Sequence, residues 1–307
     1  KAGGERILVA FSGGPDSTAL LCYVATFAEE TGREAIAAHY NHRLRGTDEA
    51  NREDSHVREL AEKLGVRLSC GTAADGEIRS MASANGMAVE EAARIMRYEF
   101  LESTAAANRC EAIATGHTRD DVVETLMQRF FQGAGVGGLK GIPRVYGKVV
   151  RPLLHWPREV VLAYNNARSL VPFDDPSNNE NGYLRNRVRN ILAPAAEAVF
   201  PGFRGSLGRL AWKMALQSDY LKGRVSDSDQ WECARGAYSM SIDSFVSMHA
   251  VERIESISGI VDSQQTKARG TTRIPFGCFR DVIALPRLAN NKILFRWGGM
   301  HLQIRGA

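Results

Sequence analysis

The sequence predicts an α/β fold, a parallel sheet with helices on both faces, followed by a smaller C-terminal domain. Short apolar segments alternate with segments of helical length over the first 120 residues. A pair of glycines follows the first apolar segment directly, and prolines interrupt the alternation after residue 150. Strands separated by helices of this length pair in parallel, because each connection must cross back over the sheet.

Four strands are predicted, at residues 7–11, 34–40, 66–70 and 112–115, and apolar runs of this length are typical of buried parallel strands. Helical patterns fill the gaps at residues 16–30, 48–64 and 89–108, and recur at 157–168 and 191–224. From about residue 225 the chain has short strand-like pieces and no recognisable motif. We therefore expect a first domain over residues 1–205. A helical linker and a small second domain should occupy residues 206–307.

The composition is that of a globular protein, with 44% apolar and 24% charged residues among 307. No apolar run approaches the roughly 20 residues that span a bilayer, so no membrane segment is expected. The five cysteines are scattered without a CxxC pair, which favours a reducing cytoplasm and argues against a cysteine metal site. Only 8 of the 39 Lys and Arg residues are Lys. This bias fits phosphate recognition and a GC-rich genome equally well.

The stretch ILVAFSGGPDS, residues 7–17, is the most informative part of the sequence. It predicts a buried strand, a glycine turn and a helix N-terminus, an arrangement that favours a phosphate group. An ordinary strand-to-helix turn also favours Gly and Ser, but Asp16 is awkward beside a phosphate unless a metal ion lies between them. The stretch lacks the Lys of a Walker A loop. The candidate phosphate-binding residues are Ser12, Gly13, Gly14, Pro15, Asp16 and Ser17.

Two further polar segments lie where a ligand is expected, beyond the carboxyl ends of the predicted strands. HYNHRLR, residues 39–45, supplies His39, Asn41, His42, Arg43 and Arg45, which suit a phosphate or a nucleobase better than a merely solvated loop. ATGHTRDDVVETLMQRFFQG, residues 114–133, places His117, Asp121 and Glu124 at helical spacing, with Asp120 or Asp121 as the possible helix cap. Two carboxylates could hold Mg²⁺ or the ammonium group of an amine substrate.

Two basic helical segments are ambiguous when taken alone. Glu90, Arg94 and Arg97 share one helix face, a pattern most typical of a solvated, ion-paired surface. The polar loop at residues 174–190 carries Asn178, Arg185, Arg187 and Arg189, which suit phosphate contacts about as well as an ordinary surface helix.

Five motifs in order resemble the tRNA(Ile)-lysidine synthase family of the PP-loop (N-type ATP pyrophosphatase) superfamily, over roughly residues 6–200. They are SGGPDS, HYNHRLR, EEAARIMRYEF, ATGHTRDDVVETLMQRFFQGAGVGGLKGIP and DPSNNENGYLRNRVRN. The resemblance implies a Rossmann-like PP-loop ATPase domain at residues 1–205. It also implies ATP-dependent attachment of L-lysine to C2 of the wobble cytidine of tRNA(Ile) with a CAU anticodon, through an adenylate.

The same resemblance implies roles for the polar residues. Ser12 to Ser17 would bind ATP, and Asp16 and Asp121 would reach Mg²⁺. Asp121 and Glu124 would bind lysine, with Asp16, Arg97 and His117 in the same catalytic pocket. The tRNA contacts would be His39, Asn41, His42, Arg43, Arg45, Asn178, Arg185, Arg187 and Arg189, and the C-terminal domain could add more.

Two rival functions are open at this point. A tRNA thiolation enzyme of the same superfamily typically needs catalytic or cluster-binding cysteines, which the scattered cysteines do not favour. A non-catalytic RNA-binding protein with a vestigial nucleotide site would have no need to keep Asp16, Asp121 and Glu124. The sequence does not indicate an oligomeric state.

Overall fold

The computed structural model describes residues 5–44, 47–173, 184–228, 231–264, 274–285, 291–297 and 299–305. The chain divides into two compact units, residues 1–214 and 215–307. Helix α10 (Phe203–Ser228) runs through the division. The unit boundary therefore falls within a helix, nine residues beyond the expected domain boundary at residue 205.

The first unit is built on a six-stranded sheet with the strand order β3-β2-β1-β4-β6-β5. The pairings among β1 to β4 and between β4 and β6 are parallel, and β5 pairs antiparallel with β6. The predicted α/β class, a mostly parallel sheet with helices, is confirmed. The strands are β1 (Arg6–Ala10), β2 (Glu34–Asn41), β3 (Arg67–Thr72), β4 (Cys110–Ala114), β5 (Val145–Tyr146) and β6 (Val149–Val150).

The helices of this unit follow the strands in the predicted alternation. They are α1 (Pro15–Thr31), α2 (Thr47–Lys63), α3 (Glu77–Asn85), α4 (Val89–Ala107), α5 (Arg119–Phe131), α6 (Val136–Leu139), α7 (Arg158–Ala167), α8 (Leu184–Arg187) and α9 (Ala193–Val199). A single π-helical turn, Val188–Leu192, joins α8 to α9. Helical turns of this type are frequent at functional sites.

Alternation along the central strand supplies the apolar core on both faces of the sheet. Val9 packs with Leu20 and Val57 of α1 and α2, whereas Leu8 packs with Leu101 of α4 on the opposite face. All five side chains are essentially inaccessible to solvent. Burial on both faces is why the central strand contains an uninterrupted apolar run.

The order of the strands decides where a ligand can bind. Strands β2 and β4 lie on either side of β1, so the connections after β1 and β4 leave the sheet in opposite directions. A crevice opens at such a switch point, outside the carboxyl ends of the strands. The glycine loop after β1 and the segment TGHT after β4 therefore meet at one edge.

The second unit has a separate apolar core that includes Phe245, Val261, Phe279, Val282 and Phe295. Of the two antiparallel hairpins in this unit, the second contributes Phe295 to the core, and the first turns through Arg235 and Gly236, both with positive φ. Two-residue hairpin turns of this kind match the twist of the strands.

The helices and strands of the second unit are β7 (Glu232–Ala234), β8 (Ala237–Ser239), α11 (Ile242–Ser247), α12 (Ala250–Gln264), α13 (Arg280–Ala284), β9 (Ile293–Trp297) and β10 (Met300–Gln303). Among the described residues of the chain, no helix has the length and apolar character needed to cross a membrane.

Candidate functional site

The glycine loop, residues 12–17, closes on itself through its two serines. The Ser12 amide donates to the Ser17 hydroxyl at 3.2 Å, and the two hydroxyl oxygens lie 3.1 Å apart. Ser17 donates in turn to the Gly14 carbonyl at 3.0 Å. Gly14 is the N-cap of α1 and Pro15 follows it, so the first free amides of the helix face the crevice.

Two glycines are required where the loop packs against its neighbours. Gly13 has φ +80°, and a Cβ there would lie 3.0 Å from Val57. Gly116, in the segment after β4, approaches the start of α1 so closely that a Cβ would lie 3.2 Å from the Asp16 backbone. Any side chain at Gly116 would therefore separate the two loops that form the crevice.

Asp16 is a half-buried carboxylate without a compensating hydrogen bond. Its Oδ1 atom is shielded from solvent and accepts no hydrogen bond. Burial and the neighbouring Asp121 carboxylate raise the pKa of Asp16 from 3.8 to about 6, although Arg158 and Arg189 act in the opposite direction. A buried, unsatisfied acceptor of this kind is costly unless a ligand completes it.

Asp121 and Glu124 are buried on the first turns of α5 and form ion pairs with two arginines. Arg185 Nη2 lies 2.5 Å from Asp121 Oδ1, and Arg185 Nε lies 2.9 Å from Glu124 Oε2. Arg189 Nε lies 2.6 Å from Glu124 Oε1. We call these four residues the carboxylate–arginine cluster. Buried carboxylates are tolerated here because guanidinium groups offset their charge.

Asp121 also has a local structural role that differs from the predicted one. Thr118, not Asp120 or Asp121, is the N-cap of α5. Asp121 Oδ2 accepts from the Thr118 amide at 2.6 Å and closes a capping box. One carboxylate thus orients the helix with Oδ2 and meets Arg185 with Oδ1.

His117 is half-buried in a positively charged environment. Its Nδ1 is 3.0 Å from the Thr115 hydroxyl. Burial, followed by the positive charges of Arg151, Arg94, Arg185 and Arg97, lowers the pKa of His117 from 6.5 to about 3. A ring with this pKa is neutral near pH 7 and is a poor general base there.

Arg97 belongs to the same environment, but its neighbours are not those of a solvated helix face. Burial and the charges of Arg94 and Arg185 lower the pKa of Arg97. Arg94 and Arg97 both lie over the Tyr98 ring, at 4.8 and 5.8 Å from its centroid. Several arginines beside a neutral histidine make this side of the crevice suitable for an anion.

Two of the predicted tRNA contacts are buried structural residues instead. His39 is 1% exposed and Asn41 is 3% exposed, and both side chains bond to Asp54 of α2. Strand β2 continues to Asn41, so these residues end the strand rather than follow it. Direct contact with tRNA is excluded for both in this conformation, because their polar atoms are enclosed by the protein.

Of the other predicted tRNA contacts that the structure describes, some lie at the protein surface and others belong to the carboxylate–arginine cluster. Arg43 is exposed with φ +46° and lies 3.4 Å from Asp75, and His42 stands edge-on to Tyr40. Arg187 is exposed, whereas Arg185 and Arg189 belong to the carboxylate–arginine cluster. Arg45 and Asn178 lie outside the described residues.

Three residues help to position the site, although the sequence did not indicate a functional role for them. Asp120 accepts from the Arg158 amide at 2.9 Å and pairs with Arg204, so it joins α5 to the starts of α7 and α10. Asp54 joins α2 to β2. Gly116 was equally inconspicuous, although a glycine directly after a predicted strand is a signal for close backbone approach.

The residues present fit a divalent cation. The Asp121 charge adds to the effect of burial on the pKa of Asp16, and the unbonded Asp16 Oδ1 is available as a hard oxygen ligand. Asp121 would join it only after Arg185 releases Oδ1. Mg²⁺ is usually held by one or two carboxylates together with substrate phosphates. No group of three or more acidic, His or Cys ligands occurs among the described residues, so phosphates would have to complete such a site.

A parallel sheet whose switch point holds a glycine loop with an unsatisfied carboxylate defines a nucleotide-binding α/β protein. The particular family follows from comparison with known proteins. Residues 1–196 match the family model described as PP-loop domain, and the chain belongs to that family.

Comparison with individual proteins confirms the resemblance inferred from the five motifs. The chain is 35% identical over 239 residues to a tRNA(Ile)-lysidine synthase of Borreliella burgdorferi (strain ZS7), covering 78% of this chain and 52% of that one. It is 32% identical over 295 residues to the enzyme of the same name from Borreliella afzelii (strain PKo), covering 94% and 64%. The chain therefore spans about half to two thirds of the length of these relatives.

Among solved structures, the chain resembles the U34-tRNA thiolase NcsA from Methanococcus maripaludis with its [4Fe-4S] cluster. The TM-score is 0.56 at 19% identity, covering 69% of this chain and 73% of that one. A likeness at this identity concerns the fold alone. The five cysteines of the present chain are free and belong to separate segments.

Proposed function

We propose that this chain attaches L-lysine to C2 of the wobble cytidine of tRNA(Ile) with a CAU anticodon, using ATP, and so forms lysidine. The names of its relatives and the match to the PP-loop family support this proposal. The observation that carries it is the unbonded Oδ1 atom of Asp16, a glycine-loop residue that lies near Asp121 of the carboxylate–arginine cluster. That position suits a cation, and the adjacent helix N-terminus favours the phosphates that would accompany it.

In the first step, the C2 oxygen of cytidine attacks the α-phosphorus of ATP and pyrophosphate leaves. The free amides at the start of α1 and the hydroxyls of Ser12 and Ser17 would hold the phosphates. Asp16 and Asp121 would hold Mg²⁺, which offsets phosphate charge when bound. Arg97 and neighbouring arginines would stabilise negative charge that develops on the transferred group.

In the second step, the ε-amine of lysine attacks C2, the bond from C2 to oxygen breaks, and AMP leaves. The amine must lose its proton to attack. His117, with a pKa of about 3 in the chain without ATP, is not suited to accept that proton. We therefore assign His117 to contact with the substrate and not to general-base catalysis.

Lysine recognition requires rearrangement of the carboxylate–arginine cluster. Glu124 already accepts hydrogen bonds from both Arg185 and Arg189. An ammonium group that reaches Glu124 would have to replace one of these guanidiniums. Arg185 is the better candidate to move, because its side chain is 43% exposed whereas that of Arg189 is 28% exposed. Its release would expose a cation toward the phosphates or the tRNA backbone.

tRNA binding is assigned mainly to exposed arginines. Arg43 and Arg187 offer exposed guanidinium groups for phosphate contacts. The wobble base must leave the anticodon stack to reach the crevice, as base-modifying enzymes generally require. The cytoplasm is the proposed location, since all five cysteines are free thiols.

The decisive experiment measures AMP release from ATP with lysine and a tRNA(Ile) transcript that carries a CAU anticodon. AMP should form only when lysine and this transcript are both present, and lysine should become bound to the tRNA. The matched control is the same transcript with uridine at the wobble position, which should support no AMP release.

Other outcomes would favour the rival functions. Sulfur transfer to the tRNA, with AMP release independent of lysine, would indicate a thiolation enzyme and overturn the proposal. Specific tRNA binding without AMP formation under any of these conditions would indicate a non-catalytic RNA-binding protein.

A further inference from the structure

We infer that His39, Asp54 and Asn41 form a hydrogen-bonded brace that positions the glycine loop for ATP and ties it to the loop that carries Arg43. The inference deepens the proposed function and rests on it for the identity of the ligand. The three residues act through other groups, so they are positioning residues and not catalytic ones.

The first half of the brace holds the residue that enters the glycine loop. His39 Nδ1 lies 3.0 Å from the carbonyl oxygen of Phe11, immediately before Ser12. His39 Nε2 lies 3.0 Å from Asp54 Oδ1. A carbonyl oxygen can only accept a hydrogen bond, so the contact with Phe11 places a proton on Nδ1 of the ring. The strand end that supports the glycine loop is thereby linked to α2.

The second half holds the loop after β2. Asn41 Nδ2 donates to Asp54 Oδ1 at 2.9 Å and to the Ala50 carbonyl at 3.1 Å. Asn41 Oδ1 accepts from the Arg43 amide at 3.0 Å. All these bonds fix the orientation of the amide group, because its donors and its acceptor are committed to different partners.

The Arg43 backbone shows why such support is needed. Arg43 has φ +46°, in the left-handed region that non-glycine residues rarely adopt. A conformation of this kind persists only where surrounding bonds hold it. The bond from the Arg43 amide to Asn41 supplies that constraint.

Asp54 is therefore the shared element of two loops at the same edge of the sheet. Its Oδ1 atom receives hydrogen bonds from both His39 and Asn41. Both of these side chains are almost completely buried, so loss of Asp54 would leave two buried polar groups without this partner. Supporting residues of this type commonly set the precision of a binding site that they do not touch.

The test compares His39→Asn with His39→Gln in the ATP-free protein and in a titration with Mg·ATP alone. An Asn amide can occupy the place of Nδ1 and donate to the Phe11 carbonyl, whereas a Gln amide extends toward the place of Nε2. Asp54→Ala removes the shared acceptor. Glu62→Ala is the matched control, because it removes an exposed carboxylate from the same helix.

We expect His39→Gln and Asp54→Ala to weaken Mg·ATP binding about tenfold, and His39→Asn to recover most of the loss. Hydrogen exchange at the amides of residues 12–18 should accelerate in the same two variants, without ATP, and remain slow in α4. The KM for lysine should change less than twofold. Glu62→Ala should match the wild type in every measurement.

The proposal is overturned if His39→Asn and His39→Gln lose affinity equally, or if both bind Mg·ATP within twofold of the wild type. A purely structural role would lower the melting temperature without separating these two variants. If His39→Gln fails to fold, His39→Asn and Asp54→Ala still give the comparison. If the wild type does not bind Mg·ATP, the proposed function fails, while exchange in the ATP-free protein still tests the brace.

Discussion

Arg189 and Glu124 form a two-point ion pair, with Nε 2.6 Å from Oε1 and Nη2 3.1 Å from Oε2. This fork-to-fork geometry is the strongest arrangement available to a guanidinium and a carboxylate. Glu124 is 3% exposed, so its charge has little access to water. The pair therefore has two consequences, one for stability and one for the access of a cationic substrate.

Arg189→Ala should lower the free energy of unfolding by roughly 1–3 kcal/mol, because Glu124 would then depend on Arg185 alone. Arg187→Ala is the matched control, since it removes an exposed arginine two positions away. Urea unfolding at pH 7 measures both. Equal free energies of unfolding for the two variants would contradict a stabilising role of the Arg189–Glu124 ion pair.

Glu124→Gln should weaken lysine recognition by about 2–5 kcal/mol in kcat/KM, the cost of leaving an ammonium group without its buried anion. The substitution also loosens Arg185 and Arg189, so stability must be measured in the same preparation. An unchanged KM for lysine together with an unchanged rate would remove Glu124 from the lysine site.

Asp16→Asn should make the chain more stable at pH 7 while abolishing AMP formation. The pKa of Asp16 is raised from 3.8 to about 6, so the folded state holds a proton more tightly than the unfolded state does. The stabilising effect of that proton is complete below pH 3.8 and is lost as pH rises through 6. At pH 7 the ionised carboxylate therefore opposes folding, by at most about 3 kcal/mol.

The measurement for Asp16 is the pH dependence of unfolding between pH 4 and pH 8, without Mg²⁺, in wild type and Asp16→Asn. The difference in stability should grow as pH rises through 6, and added Mg·ATP should stabilise only the wild type. A constant difference over this range would show that Asp16 does not titrate as described.

His117 should resist protonation and so make the fold sensitive to acid. Its pKa falls from 6.5 to about 3 on folding, so the unfolded state binds more protons between these values. The stabilising effect of the neutral ring is complete above pH 6.5 and is lost as pH falls toward 3. His117→Gln should flatten the stability profile over this range, and the imidazole NMR signal of His117 should not titrate above pH 5.

The sheet and its helices could be predicted because their signals are local. The run from Ile7 to Phe11 and the helix after it are each encoded by adjacent residues, and the helices α1, α2 and α4 begin and end within one residue of the prediction. Helix α3 and strands β5 and β6 were not predicted, because two-residue strands and a nine-residue polar helix carry almost no periodicity.

The candidate site could be predicted as a set of residues but not as a set of contacts. His39 was expected to contact tRNA, yet Asp54, fifteen positions away, bonds to its ring within the protein. Arg185 and Glu124 are 61 positions apart, and no spacing rule connects them. Tertiary packing brings such distant residues together, and the local sequence pattern contains no signal for their contact.

tRNA binding should depend steeply on salt, because each phosphate contact releases counterions. Arg43→Ala removes an exposed guanidinium at the carboxyl end of the sheet, and Arg187→Ala removes an exposed guanidinium beside the carboxylate–arginine cluster. Each change should weaken binding and lower the salt slope by roughly one unit. We expect Arg43→Ala to reduce the rate more than the affinity, because its loop adjoins the crevice, and Arg187→Ala to reduce affinity more.

The control for these titrations is Arg109→Ala, an exposed arginine that immediately precedes β4 and so lies at the opposite edge of the sheet. Its salt slope should equal that of the wild type, because a tRNA whose base enters the crevice would not reach that edge. A flat salt response in the wild type would rule out phosphate-mediated tRNA binding. A loss of slope in Arg109→Ala equal to that in Arg187→Ala would show that binding is not confined to the side of the sheet where the crevice opens.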